Sequence, residues 1–596
     1  MNAFRWFLSY LKKYRWLIIT GLILVVLTSI LILIKPYVSG VIVDEVIKKG
    51  NYEQLLPLLV ILVGATILRA GLRFTFLMEF ETASQGVIYS LREAVYKKLM
   101  DEDLSFYNRN RTGDLMSRQT GDMDAVRHFV SHVMYFTCEN ILIFLMALFM
   151  IFTVNIKLAV CMLIVLPFTA FITIKQARRI KPCFEHIRQC FSNLNAFAQE
   201  NISGNRVVKA FAKEDFETEK FNRENDAYRD SQINATYVWM KYIPLFEIMS
   251  NLLTVILMIG GGYMVIQQEI TIGQMVTVNG YLWMLNSPLR QAGWIINDIQ
   301  RFFTSIEKIY DTYQIEPEIQ TPEKSIIKER LKGGVEFQHV NYFAFDDVIL
   351  KDINFKVEPG QTVGIIGATG SGKSTLINLI CRFYDVTSGK VLVDGINVKK
   401  LDLTSLRGNI GMAMQDVFLF SDTIEGNIAY GNPNCSFENV KNAAITANAD
   451  SFISQMPEGY DTIVGERGVG LSGGQKQRIS LARALLKNPS IVILDDTTSA
   501  IDMETEALIQ ESLEKVAKKS TVFIIAHRIS SIMKADQIFV LDNGRIVEQG
   551  NHESLLAQKG YYYTVFNHQY GEFDYFEEMR RSNGMGGERW QEISTT

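Results

Sequence analysis

The stretch GATGSGKST, Gly367 to Thr375, sets glycines and small hydroxyls around a single lysine, a pattern suited to holding phosphate. Glycines let successive backbone N–H groups curl round an anion, and a helix starting at the lysine adds a favourable dipole. Gly367, Thr369, Gly370, Ser371, Gly372, Lys373, Ser374 and Thr375 form the candidate phosphate-binding set. Lys373 suits the β- and γ-phosphates, and the Ser374 hydroxyl suits Mg²⁺. Downstream, IVILDD carries Asp495 and Asp496 to the end of an apolar run. A carboxylate there can hold Mg²⁺ directly or through water, and Asp495 is assigned that role. Alone, such a pair would as readily be a turn or a helix cap; beside the phosphate loop it points to a nucleoside triphosphate. The second acid poses a question. An aspartate is shorter than a glutamate by one carbon–carbon bond, about 1.5 Å.

These residues need a frame. TVGII before the loop reads as a buried strand and STLINLICRFY after it as an amphipathic helix, the setting a phosphate loop requires. From Val335 onward strands alternate with helices, so residues 335–570 are expected to form one α/β domain with a parallel or mixed sheet. Residues 313–334, charged and broken by Pro317 and Pro322, read as a linker. The polar tail 571–596 carries no signal.

The first half is of another kind. The chain is 48% hydrophobic yet 21% charged, because long apolar runs are confined to its N-terminal part. Six candidate membrane spans can be marked, at 16–36, 53–78, 133–154, 157–176, 243–266 and 272–297. Each can cross about 30 Å of hydrocarbon at about 1.5 Å per residue. Residues 1–15, amphipathic with Trp6 and several basic side chains, read as an interfacial elbow helix rather than a secretion signal. The long connections 79–132 and 177–242 are rich in Lys and Arg. The positive-inside bias therefore places them, both termini and the α/β domain in the cytoplasm of a multi-pass plasma-membrane protein. The expected architecture is an α-helical membrane domain, 16–312, with long cytoplasmic extensions, followed by the α/β domain. The six cysteines show no metal-type spacing and imply no disulfide framework. No nucleic-acid partner is expected.

LSGGQKQRISLARAL, Leu471 to Leu485, narrows the class. It resembles the signature motif of ATP-binding cassette (ABC) proteins, and the resemblance extends over nearly the whole chain. Gln415 in MQDVFLFSDTIEGNIAYG, VGERG before the signature, SAID after the acids and His527 in IIAHR follow the same family order. Six spans ahead of one cassette resemble an exporter half-transporter. The segments 106–126 and 200–214 look like the family's coupling-helix regions. The resemblance implies ATP and Mg²⁺ as ligands and a dimer, because each ATP lies between one chain's phosphate loop and the other's signature. Ser472, Gly473, Gly474 and Gln475 would face the ATP bound opposite. Gln415 would sense Mg²⁺ and the attacking water, and His527 would contact the γ-phosphate. Where the family stacks a tyrosine on adenine, this chain has Ala344, so Phe343, Phe345 or Tyr342 must substitute; Phe345 is the residue assigned.

The family places a glutamate after the metal-site aspartate to polarise water, and this chain has Asp496. Misplacing such a group by about 1 Å costs on the order of 100-fold in rate. The implied assembly is a heterodimeric exporter of the bacterial multidrug kind. This chain contributes a degenerate, weakly hydrolytic site built on Lys373, Asp495, Asp496 and His527, and an intact signature. The alternatives are a homodimer with two slow sites and a regulatory or channel-like subunit with little hydrolysis. Polar residues in the spans are few: Arg69, Arg73, Glu79, Glu139, Glu247 and Asn286. They suit either substrate contact or internal pairing of Arg69 with a glutamate. No peptidase domain precedes the first span, which argues against leader-cleaving peptide export and for amphipathic drugs or lipids as cargo.

Overall fold

The computed structural model describes residues 2–322, 324–344, 347–497, 501 and 503–570. The chain forms two compact units: Met1–Glu102 with Asn110–Glu316, and Asp103–Arg109 with Pro317 onward. The segment 106–126, expected to serve coupling, is thus divided between them.

The first unit is helical. Helix α1 (Asn2–Leu11) precedes α2 (Arg15–Val41) and α3 (Leu55–Asp101). The short α4 (Leu104–Arg109) belongs to the second unit. Helical residues then run from Thr112 into α5 (Met134–Val154), followed by α6 (Ile156–Ser203), the short α7 (Asn205–Ala210), α8 (Glu214–Ile256) and α9 (Ile272–Gln314). Helix α6 has 48 residues and would reach about 70 Å, more than twice the hydrocarbon thickness. The elbow helix is pinned by aromatic contact, with the Trp6 ring 4.9 Å from Tyr313 and 5.5 Å from Tyr310 at the end of α9.

Among the described residues, five helical stretches are long and apolar enough to cross a membrane. The sixth expected span, 272–297, is continuous helix at the start of α9 but is not among them. Asn279, Asn286, Arg290, Gln291 and Asn297 dilute it. Part of its apolar face enters the bundle, where Val278, Tyr281 and Leu285 are fully buried in one cluster with α5 and α6 residues such as Ala147 and Ala159, while Trp283 and Ile296 stay exposed. A helix shielded by neighbours does not need an apolar surface all round. At one end of this bundle α2 and α9 touch backbone to backbone. A Cβ on Gly273 would sit 2.1 Å from the Gly40 carbonyl oxygen, so only glycine fits.

The second unit holds two sheets. The smaller, in the order β2-β1-β4-β5, comprises β1 (Val335–Ala344), β2 (Asp347–Val357), β4 (Ser388–Val393) and β5 (Ile396–Asn397), all antiparallel. The larger, in the order β10-β9-β3-β8-β7-β6, comprises β3 (Thr362–Gly367), β6 (Ile410–Ala413), β7 (Ile491–Asp495), β8 (Thr521–Ile525), β9 (Gln537–Asp542) and β10 (Arg545–Gly550). Its strands are parallel except for β10. Strand β7 is buried on both faces. Ile491 and Ile493 join the core around α10 (Lys373–Ile380), while Val492 and Leu494 join the core beneath α11 (Gly473–Leu486). That explains the unbroken apolar run IVIL: a parallel strand covered on both sides has no face left for polar residues.

The expected linker 313–334 is stitched into this unit from Pro317 onward. Leu331 is buried in its core, and the Asp394 carboxylate accepts from the N–H groups of Lys332, Gly333 and Gly334 at 2.6, 3.0 and 2.8 Å. One acid collecting three amides overrides the charged, loop-like composition. Helix α9 already covers residues 313 and 314.

Candidate nucleotide site

The candidate residues meet because their strands do. In the order β3-β8-β7-β6, the phosphate loop leaves β3, His527 follows β8, Asp495 ends β7 and Gln415 follows β6. Pairing of Ile365 with Ile525, Asp495 with Ile525 and Ala413 with Leu494 puts these ends level. Side chains scattered over 160 positions therefore share the carboxyl edge of one sheet, where open α/β sheets bind ligands.

Gly370 and Gly372 have φ of +82° and +101°, backbone that a side chain would resist. Gly372 precedes α10 and supplies no side-chain cap, so the first amides of that helix face outward for an anion. The Lys373 ammonium, buried, donates to the carbonyls of Gly367 at 2.9 Å and Ala368 at 2.8 Å. Burial holds it below the usual lysine value, while Asp495 and Asp496 pull the other way. Ser371 Oγ is buried without a hydrogen-bond partner, a donor the loop leaves unused.

Asp495 is buried, and burial pushes its carboxyl above the usual aspartate range. A hydrogen bond with Ser374 and the charges of Lys373 and His527 oppose that shift, and Asp496 adds to it. Among the described residues no group of three or more acidic, His or Cys side chains could hold a metal. A hydroxyl and one carboxylate beside phosphate oxygens nevertheless fit Mg²⁺, which keeps several waters and leans on phosphate. The unused Ser371 hydroxyl and the uncapped amides likewise fit a triphosphate.

Asp496 sits on a turn with φ of +49°, its N–H donating to the Ile525 carbonyl at 3.0 Å. Aspartate enters this left-handed region more readily than most side chains. The signature motif stands apart. Ser472 caps α11, its Oγ accepting from the Gln475 N–H at 3.3 Å, while Gln475 Oε1 accepts from the Ser472 N–H at 2.8 Å. Among the described residues no hydrogen bond joins Ser472–Gln475 to the phosphate loop. Gln415 and His527 are both exposed. Phe345 lies outside the described residues. Of its alternatives, Tyr342 packs 5.6 Å from Tyr384, and Phe343 keeps an exposed ring.

Two residues escaped the sequence reading. Gln477 is buried one turn into α11, with Nε2 3.5 Å from the Asp496 carbonyl. Arg483 clamps the segment after Gln415, donating to the carbonyls of Asn427 at 2.8 Å and Phe418 at 2.9 Å. Their signal was polar type on the buried face of an amphipathic helix. At α4, Asp103 accepts from the Phe106 and Glu318 N–H groups at 2.9 and 2.7 Å, Arg109 pairs with Glu318 at 2.9 Å, and Asn108 donates to the Tyr384 hydroxyl at 3.0 Å. Among the described residues Arg69, Glu139 and Glu247 form no ion pair within 4.0 Å, and Arg69 Nε is buried without a partner. Of the two readings left open for these residues, a close Arg69–glutamate ion pair is not among the described contacts.

A family model described as the ABC transporter transmembrane region matches residues 18–289, and one described as ABC transporter matches residues 350–499. The chain belongs to the ABC transporter family. It is an exporter half-transporter, a transmembrane region fused to one nucleotide-binding domain, and hence an ATP-binding ATPase coupled to transport. An uncharacterised ABC transporter ATP-binding protein of Bacillus subtilis (strain 168), YknU, is 37% identical over 96% of this chain and 98% of its own. The ATP-dependent lipid A-core flippase of Syntrophus aciditrophicus (strain SB) is 36% identical over 93% and 92%. A bacterial Atm1-family ABC exporter solved with ATP bound superposes with a TM-score of 0.78 at 30% identity, over 93% of this chain and 98% of that one. The transporter is thus a multi-pass membrane protein, and its two units are the two halves of the exporter fold.

Proposed function

We propose that this half-transporter exports amphipathic drugs or lipids from the cytoplasmic side as one chain of a heterodimer. In that dimer it supplies a degenerate ATP site and an intact signature. The observation that carries the reading is Asp496 directly after Asp495, on a turn whose left-handed backbone an aspartate accepts readily. Lipid cargo is in keeping with the flippase relative, and drug cargo with a 34%-identical Bacillus subtilis relative, YgaD, that carries a provisional multidrug export name.

In this mechanism Lys373 and the open amides around Gly372 hold the β- and γ-phosphates, and the exposed His527 reaches the γ-phosphate. Ser374 and Asp495, with Gln415, would hold Mg²⁺, which neutralises phosphate charge when bound. Asp496 orients water but falls about 1.5 Å short, enough to cost on the order of 100-fold in turnover. ATP then stays bound in this site and biases the conformational equilibrium. The outward-facing Ser472 and Gly473 complete the partner's site, where a glutamate does the hydrolysis. Helix α4 and the α7 segment carry the cassette's movement to the spans.

The test is Asp496→Glu here and Glu→Gln at the matching acid of the co-purified partner. The first change should raise total ATPase by about twofold at most, because it adds one site to one already competent; the second should lower it about 100-fold. A large rise from Asp496→Glu in this chain purified alone would mark a homodimer with two slow sites. Intact turnover after the partner's change would refute the asymmetric model.

A further inference from the structure

Strand β8 ends at Ile525, and His527 follows on a segment whose side chain no core packing holds, since it is exposed. Something else must fix its direction. The helical residues 561–570 lie against this segment, with Tyr562 fully buried beside Ile529 and Leu555. From them Gln569 reaches back with both ends of its carboxamide. Its Nε2 donates to the His527 carbonyl at 2.8 Å, and its Oε1 accepts from the Ile529 N–H at 2.9 Å. A carboxamide has the donor and acceptor geometry of a peptide unit, so Gln569 pairs with residues 527 and 529 as one residue of an extra strand would. The other side is braced by α12 (Met503–Ala517). Glu506, buried, accepts from Ser531 Oγ at 2.5 Å and pairs with Arg528 at 3.3 Å, and Gln510 donates to the Ser530 carbonyl at 3.1 Å.

We propose that Gln569 is a positioning residue for His527, so that the segment 561–570 sets how firmly this chain's site distinguishes ATP from ADP. The inference rests on the reading of His527 as the γ-phosphate contact. A group bonding only the terminal phosphate contributes to ATP binding and nothing to ADP binding. Loosening its backbone should therefore erode the preference between them while leaving the rest of the site alone.

The test uses the full-length dimer, photolabelled with 8-azido-ATP or 8-azido-ADP, with label on this chain resolved from its partner by mass. Gln569→Met keeps length but removes both bonds, and should lower the ATP-over-ADP preference about tenfold. Gln569→Glu sets a carboxylate oxygen against the His527 carbonyl and should lower it further. ADP labelling should not move with either change. An unchanged preference in both variants, or equal losses of ATP and ADP labelling, would overturn the proposal. Labelling that survives Lys373→Ala would instead refute the phosphate-loop assignment, and the positioning role with it. The readout is binding at this chain's own loop, so it does not depend on how fast Asp496 turns over.

Discussion

Two helices of the cassette begin beside glycines, and their N-termini are built oppositely. Helix α10 begins after Gly372 with no side-chain cap, and the adjacent lysine bends back onto the loop's own carbonyls. Helix α11 begins after Ser472 with a reciprocal capping box that satisfies both Ser472 and Gln475. The first terminus leaves its amides free for phosphate in the same chain. The second is satisfied without a ligand, and on the proposed reading it yields its serine hydroxyl to phosphate bound by another chain. A cap that can be exchanged is what a surface meeting its ligand only on association requires: it keeps the lone terminus folded at a cost of about 1 kcal/mol to open.

This contrast can be broken by single changes. Ser472→Arg puts bulk and charge at the signature terminus. In the dimer it should lower total ATPase about 100-fold while ATP labelling of this chain's own loop persists. Equal loss of both would mean that the two termini serve one site. The next effect is on pH. Burial raises the Asp495 carboxyl, so its contribution to the ligand-free cassette is present at low pH and is lost as pH rises through that raised value. Mg²⁺ wants the ionised form, so Mg²⁺-dependent nucleotide affinity should fall as pH drops into a window above the ordinary aspartate value of about 3.9. Asp495→Asn should flatten that dependence in a titration of nucleotide binding. The smallest effect is expected from Gln475→Ala. It removes one arm of the capping box and frees the Ser472 N–H, costing about 1 kcal/mol of local stability by hydrogen exchange in α11. Total ATPase should change by about threefold or less. A collapse of activity there would make Gln475 a direct phosphate contact rather than a cap.

Much of the cassette was legible because its motifs are local. The run TVGII, the glycines after it and the lysine opening a helix specify strand, loop and anion site within one stretch. The apolar run IVIL ahead of the acids is strand β7, and the structure covers it on both faces. The linker was decided by a partner far along the chain. Residues 317–334 have a linker's composition, yet Asp394 draws three of their amides into the domain. The start of α9 reads as a span in the sequence despite its polar residues, and part of its apolar face packs among neighbouring helices.

The sequence by itself determined that a phosphate-loop pattern and a pair of acids are present, that the second acid is short by one carbon, and that membrane spans precede a nucleotide domain. Those properties belong to residue type and spacing, and no packing alters them. Only the tertiary structure decided that four distant strand ends become one site and that Asp496 occupies a left-handed turn. It also decided that Gln569 reaches back to the His527 segment. Strand order and long-range hydrogen bonds set these, because contacts between residues tens or hundreds of positions apart leave no period or motif in the chain.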